Sequence, residues 1–310
     1  MATSWSLNVE LTPGLCIDVA EALRLPHPGL VEKDYHVVRA LQALSEVEHA
    51  GARLVFGGGT SLCRAYRLIE RMSEDIDLRV ASDQPLTDGG RRKFRAAVSK
   101  SLIAAGFEFD PENRDHLAVH DSGRTLVYHL PYVQGTTSVA SLRAGVKVEI
   151  SSWPLLRASL QSAVSSFVAE ATGAAAEVSS IPCVDVTETA ADKFVALTRR
   201  IAEEQYQQAQ HDRALLRHVY DLHCIRSHIA LDQMRPLIAE IMESDRRSRS
   251  RGFPAYAENP QEASRKAIEL LANDAHYAEA FNGFQRDMVY GERVTLQECL
   301  PCLRELAALL

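Results

Sequence analysis

Between Leu54 and Val80 the chain reads LVFGGGTSLCRAYRLIERMSEDIDLRV, and no other stretch restricts the fold so closely. Leu54-Val55-Phe56 is an apolar run of a length suited to a short buried strand. Gly57-Gly58-Gly59-Thr60-Ser61 follows, and Leu62, Ala65, Tyr66 and Ile69 then recur at helical spacing, which predicts a helix over 62–71. In Ser73-Glu74-Asp75-Ile76-Asp77-Leu78 the aliphatics alternate with the aspartates, the pattern of a half-buried strand. Side chains at i and i+2 of a strand point the same way, roughly 6–7 Å apart. Asp75 and Asp77 are therefore expected on one face, looking into a solvated cleft. Two carboxylates so placed suit Mg²⁺, a hard cation that completes its shell with waters and substrate phosphates. The glycines let the backbone approach a phosphate, and Gly58, Gly59, Thr60 and Ser61 are the candidate nucleotide contacts. Each half alone has an ordinary reading, a flexible turn or a solvated strand face. Together they describe a phosphate cradle followed by a metal strand, the parts needed to move a nucleotidyl group from a nucleoside triphosphate.

These blocks also resemble a known family. Gly58-Gly59-Thr60-Ser61-Leu62 and Ser73-Glu74-Asp75-Ile76-Asp77-Leu78 are similar to the first two motifs of the AbiEii/AbiGii (MenT-like) nucleotidyltransferase toxins. The resemblance implies an α+β fold of the polymerase-β type: a mixed sheet with flanking helices and a C-terminal helical lobe. It further implies a Mg²⁺-dependent nucleotidyltransferase, the toxin of a toxin–antitoxin or phage-defence pair with a cognate antitoxin. The acceptor it implies is an RNA 3′ hydroxyl, on tRNA above all.

Three later segments extend the site. In Val146-Lys147-Val148-Glu149-Ile150 the aliphatics share one face, leaving Lys147 and Glu149 on the other. Transferases of this type carry a third carboxylate on a neighbouring strand, where it can accept the attacking hydroxyl's proton or bind the catalytic metal, and Glu149 is the candidate. The bland alternative is a surface Lys–Glu pair. ADKFVALTRR resembles the family's K-x-x-A-L-x-x-R motif. Lys193 and Arg200 fall on one helical face, and the resemblance places Lys193 at the triphosphate as a cation for the departing pyrophosphate. Arg217-His218-Val219-Tyr220-Asp221-Leu222 is similar to R-D-[LV]-Y-D-L, with His218 where the family usually has aspartate. Asp221 is retained and is expected to orient Lys193. Ser73, two residues before Asp75, is a further candidate contact.

Outside these motifs the readings are organisational. Residues 8–50 are expected to be helical with a break at Pro26–Pro28, and no chemistry is read there. A basic helix is expected up to Ala105, strands at 107–109, 117–120, 125–130 and 145–150, and a loop over 153–180. Thr187 is read as the cap of the next helix. The expected domains are a nucleotidyltransferase core with its leading helices, 1–182, and a helical domain that completes the cleft, 183–310.

Composition narrows the partners. A hydrophobic content of 46% with 24% charged residues is that of an ordinary globular protein. No apolar run approaches the roughly eighteen residues of a bilayer span, so no membrane partner is expected. The opening MATSWSLNVELTPG lacks a signal-peptide pattern, and a cytoplasmic location is expected. Cys299 and Cys302 have C-x-x-C spacing without a second pair, which reads as two helical cysteines rather than a zinc site. A net charge of −7 does not suit general nucleic-acid binding. RNA would have to meet local clusters, either Arg91, Arg92, Lys93, Arg95 and Lys100, or Arg246, Arg247, Arg249 and Arg251. Two alternatives stay open: transfer to a protein or small-molecule hydroxyl, and a degenerate nucleotide-binding protein that acts on a partner.

Overall fold

A computed structural model describes residues 10–137, 139, 142–207, 212–249 and 254–310. Arg251 of the second basic cluster lies outside them, as do residues 8 and 9 of the leading segment. The chain divides into two units. The first runs to Arg67 and resumes over Met72–Val184; the second joins Leu68–Arg71 to Asp185–Leu310.

The first unit begins with helices α1 (Pro13–Ala22) and α2 (Pro28–Ser45), each opened by a proline in its first turn, where the missing N–H costs nothing. Strands β1 (Glu48–His49) and β2 (Ala52–Gly57) follow, then a single short turn α3 (Gly58–Thr60) and β3 (Asp75–Ala81). Helix α4 (Asp88–Ala104), strands β4 (Leu117–His120), β5 (Thr125–Leu130), β6 (Val146–Ser151) and β7 (Leu160–Val164), helix α5 (Phe167–Thr172) and β8 (Val178–Cys183) complete it. The strands form one mixed sheet in the order β4-β5-β6-β3-β2-β8-β7, with β1 paired to β2. Strand β3 lies centrally, antiparallel to β2 and parallel to β6.

The period-two patterns decide which face is dry. Ile76 and Leu78 of β3, Val146, Val148 and Ile150 of β6, and Leu126 and Tyr128 of β5 are buried in one core. Val38, Leu41 and Leu44 from α2 and Phe94, Val98 and Leu102 from α4 fill the same core. Cutting any of the large aliphatics back to alanine there would cost about 2–5 kcal/mol. Asp75, Asp77, Lys147 and Glu149, at the alternate positions, are thereby committed to the opposite face.

Several local expectations are corrected. The predicted helix over 62–71 ends early. After α3 one π-helical turn, Ser61–Ala65, closes with Tyr66 N–H donating to Ser61 O at 2.9 Å, and Arg67 then turns left-handed at φ 55°. Residues 107–109 are not a strand. Gly106 turns the chain out of α4 at φ 84°, and Phe107 is buried by packing, with the Arg39 guanidinium 5.5 Å from its ring centre. The expected loop over 153–180 contains β7 and α5.

The second unit is helical: α6 (Val186–Gln207), α7 (Leu216–Ile225), α8 (Leu231–Arg249), α9 (Pro254–Glu258), α10 (Pro260–Asn273), α11 (Ala275–Met288) and α12 (Leu296–Ala307). Asp185, not Thr187, caps α6: its Oδ1 accepts from Thr187 N at 2.9 Å and Glu188 N at 3.2 Å. The carboxylate reaches two orphan N–H groups, while Thr187 already lies inside the helix and accepts from Ala230 N at 3.2 Å. Residues Leu68–Arg71 join this unit as an extended segment. Glu70 O accepts from Tyr290 N at 3.0 Å and Gly291 N at 3.1 Å, and Arg71 bridges Val289. Among the described residues no helix is long and apolar enough to cross a membrane.

Candidate active site

Strand pairing aligns the carboxylates of the first unit. Asp77 stands opposite Glu149 on parallel β6, and Asp75 stands opposite Lys147. On its other side Asp77 faces Gly57 of β2. The sheet thus brings Asp75, Asp77 and Glu149 onto one surface, with Asp75 the deeper member at 8% exposure and Asp77 half-buried. Both aspartates are expected to look into a solvated cleft, and Asp75 is instead buried. The guanidinium of Arg143 lies 3.4 Å from each of its carboxylate oxygens. Glu149 pairs with Lys147 at 3.0 Å and stays about two-fifths exposed.

The glycine turn is pressed against this strand. Gly58 has φ +71°, and a Cβ built on it would sit 1.9 Å from Asp77 Oδ2. Only a residue with no side chain leaves the Asp77 carboxylate where it is. Thr60 is buried; its hydroxyl donates to the Asp75 carbonyl and is hydrogen-bonded to the Ser73 hydroxyl at 2.9 Å. Ser61, also buried, donates to Gly58 O at 3.0 Å. Thr60 therefore fastens the turn to β3 and Ser61 closes the turn on itself, so a phosphate would meet the backbone of Gly58, Gly59, Thr60 and Ser61. The donor set suits a hard divalent cation: two aspartates two residues apart on a strand, all oxygen ligands, with the rest of the shell left to phosphate and water. Among the described residues no group of three or more His, Cys, Asp or Glu converges into a ready metal cage.

The second unit holds a buried ionic cluster. Asp221 on α7 is fully buried, accepts from Arg71 Nε at 2.6 Å and Nη2 at 2.7 Å, and pairs with Lys193 Nζ of α6 at 2.7 Å. Two cations on one carboxylate hold Asp221 ionised well below the usual carboxylate range, although burial works the other way. Burial lowers Lys193, with Arg71 adding repulsion, and the Asp221 charge only partly restores it. Of the two cations lysine is the one able to give up a proton, since a guanidinium cannot. The His218 imidazole lies among these charges and is held neutral, first by burial and then by Lys193 and Arg217. Arg200 does not join Lys193 there; it pairs with Asp212 at the half-exposed end of the helix.

Arg71 was missed in the sequence. Its only signal was a position between the two motif blocks, in a stretch that looked like the continuing face of a helix. The basic clusters are also less open than their composition suggests. Arg91 donates to Leu86 O at 2.7 Å and Ser122 O at 3.1 Å and pairs with Asp88, while Arg246 and Arg247 hold Glu243 at 2.7 and 2.8 Å. Arg92 and Lys93 of α4 are exposed. Cys299 and Cys302 are buried in α12, their thiols pushed up by burial to about 12 and about 11.

A mixed sheet that aligns three carboxylates beside a glycine turn, with a helical unit after it, defines the nucleotidyltransferase class. The sequence profile described as "Nucleotidyl transferase AbiEii toxin, Type IV TA system" matches residues 39–301, and the chain belongs to that family of nucleotidyltransferase toxins. In fold it is similar to "MenT4, nucleotidyltransferase toxin Rv2826c from Mycobacterium tuberculosis H37Rv". The identity is 20% and the TM-score 0.51, over 96% of this chain and 99% of that one. No curated protein sequence matches it. Membership makes the protein an enzyme of a type IV toxin–antitoxin system and implies a nucleotide substrate and a cognate antitoxin.

Proposed function

We propose that the protein transfers a nucleoside monophosphate from a nucleoside triphosphate to an RNA 3′ hydroxyl, tRNA being the acceptor class, with Mg²⁺ held by Asp75 and Asp77. The observation that carries the reading is the alignment of Asp75, Asp77 and Glu149 on one sheet face, with Gly58 packed against Asp77. The family supports nucleotidyl transfer, and transferases of this class generally use a divalent metal. RNA, Mg²⁺ and action in the cytoplasm belong to the proposal.

The chemistry follows from the placement. The acceptor oxygen attacks the α-phosphorus, a new P–O bond forms, and the bond from that phosphorus to the α–β bridging oxygen breaks to release pyrophosphate. Glu149, half-exposed on β6, takes the proton of the attacking hydroxyl. Lys147 pairs with it at 3.0 Å. The Gly58–Ser61 turn offers backbone N–H groups to the phosphates, and Ser73 with Thr60 fixes that turn to β3. Asp75 and Asp77 would hold the divalent cation, which when bound would neutralise charge on the phosphoryl oxygens. Lys193, oriented by Asp221, is assigned to the triphosphate on the strength of its motif, and Arg200 on the same ground.

The test is mass spectrometry of tRNA incubated with the protein, Mg²⁺ and each labelled triphosphate in turn. Addition of nucleotide to the 3′ end, abolished by Asp77→Ala in soluble folded protein, is the expected result. Labelling of a co-purified protein in place of RNA would transfer the same chemistry to a protein hydroxyl. Full activity in Asp77→Ala would remove the two-carboxylate assignment.

A further inference from the structure

Helix α2 buries three consecutive charged residues, Glu32, Lys33 and Asp34, each at 3% exposure or less. Burying a charge is costly unless it is paired and hydrogen-bonded, so each of these needs a partner. Glu32 accepts from the backbone N–H groups of Gly135 and Thr136, at 2.5 and 3.0 Å. Lys33 donates to Arg143 O at 2.8 Å and to Gly145 O, and pairs with Glu74 at 3.1 Å. Glu74 in turn accepts from Arg143 N at 2.9 Å. Gly145 turns the chain into β6 at φ +70°, where a Cβ would sit 2.6 Å from Leu130 O. The backbone of Arg143 is thus held on both its N–H and its carbonyl by a buried ion pair, and Glu74 is the residue next to Asp75.

The side chain of Arg143 is treated differently from its backbone. Its guanidinium stands 3.4 Å from both Asp75 oxygens, longer than the 2.7–2.9 Å of a locked charge-assisted bond, and is 53% exposed. Lys147, opposite Asp75 on β6, is tied to Glu149. A planar fork with donors to spare, on a rigid backbone beside the candidate metal carboxylates, matches a phosphate.

We propose that Arg143 is a further ligand of the triphosphate, positioned by the Lys33–Glu74 pair. The inference rests on the nucleotidyltransferase reading above and adds a substrate contact to it. It also predicts effects of opposite sign. A guanidinium beside Asp75 repels a lone divalent cation but attracts a metal–polyphosphate complex, whose net charge is negative.

The test measures binding, not turnover. Calorimetry gives the Kd for Mg²⁺ complexes of nonhydrolysable ribonucleoside triphosphates, and electron paramagnetic resonance gives the Kd for Mn²⁺ alone. Arg143→Ala should weaken nucleotide binding by about tenfold or more, as expected for one charge-assisted contact. It should tighten Mn²⁺ binding and leave the melting temperature near wild type. Arg143→Lys should recover part of the nucleotide affinity. Lys33→Met should weaken nucleotide binding in the same direction, and where that variant does not fold the two Arg143 variants decide the matter. Unchanged nucleotide binding in Arg143→Ala, or nucleotide and Mn²⁺ affinities falling together, would overturn the inference and leave the transferase reading intact. A wild-type protein that binds no nucleoside triphosphate would overturn both.

Discussion

Replacing Gly58 with alanine isolates the geometry on which the candidate site depends. The backbone there has φ +71°, and a Cβ would lie 1.9 Å from Asp77 Oδ2, 2.7 Å from Cγ and 2.9 Å from Cβ. Rotating the carboxylate relieves the first contact but not the last, so the strand or the turn itself has to move. Restoring a 3.0 Å separation from Oδ2 displaces that oxygen by about 1 Å, a misplacement that costs on the order of 100-fold in rate. The same substitution also carries the penalty of a left-handed alanine, about 1–2 kcal/mol. Gly51 supplies the control, because it has φ +74° and nothing within 4 Å of its Cβ position. Gly51→Ala should lower the melting temperature by roughly 2–8 °C and keep its rate. Gly58→Ala should melt at least as low and lose about two orders of magnitude in initial rate of labelled nucleotide transfer at saturating triphosphate. If Gly58→Ala transfers nucleotide within about threefold of wild type, a difference well under 1 kcal/mol, the position of Asp77 does not govern the chemistry. If Gly51→Ala loses as much activity as Gly58→Ala, the effect belongs to backbone strain instead.

Three further outcomes can be measured. Asp221→Ala leaves Arg71 and Lys193 buried without their counter-charge and should cost about 3–5 kcal/mol in urea unfolding. Asp34, buried against Arg64 at 3.6 Å and the Phe167 N–H at 2.7 Å, is raised to about 6 by burial; Arg64 opposes the shift, and Glu170 and Glu177 add to it. A carboxyl raised above its unfolded value of about 3.9 contributes stability that is present below that pH and lost as pH rises through 6. Asp34→Asn should therefore flatten the decline in urea midpoint between pH 4 and pH 6 relative to wild type. If RNA is the acceptor, neutralising Arg92, Lys93 and Arg95 together should raise the KM for tRNA alone. Each lost phosphate contact should also flatten the log–log salt dependence by roughly 0.7–0.9, whereas an unchanged slope would exclude this face of α4.

Much of the sheet was legible because its signal is local. In β6 the residues buried are those the alternation selects, Val146, Val148 and Ile150, and β3 places Ile76 and Leu78 in the same core. The helix over 62–71 was misread because its spacing mixes two separate burials. Leu62 and Cys63 pack in the first unit, Arg67 turns left-handed, and Ile69 is buried in a segment of the second. Strand β7 had no pattern to find: Leu160 is exposed and only Val164 is buried, so pairing with β8 across a bulge makes it a strand.

Charged residues were the least legible, because their meaning lies in partners far along the chain. Glu32, Lys33 and Asp34 look like the polar edge of an amphipathic helix until Gly135, Arg143 and Phe167 are brought to them. Arg71 means nothing without Asp221, 150 residues on. The motifs themselves give carboxylates of two physical kinds. Asp77 is half-exposed at a glycine-lined turn, so removing its carboxylate takes away the proposed metal ligand at a position that solvent reaches. Asp221 is the centre of a dry ion triad, so removing it strands two cations. Equal losses of toxicity in the two variants would therefore have different causes. Only for Asp77 does loss of activity in a protein of unchanged melting temperature assign the residue to the chemistry, and for Asp221 the unfolding curve has to be measured first.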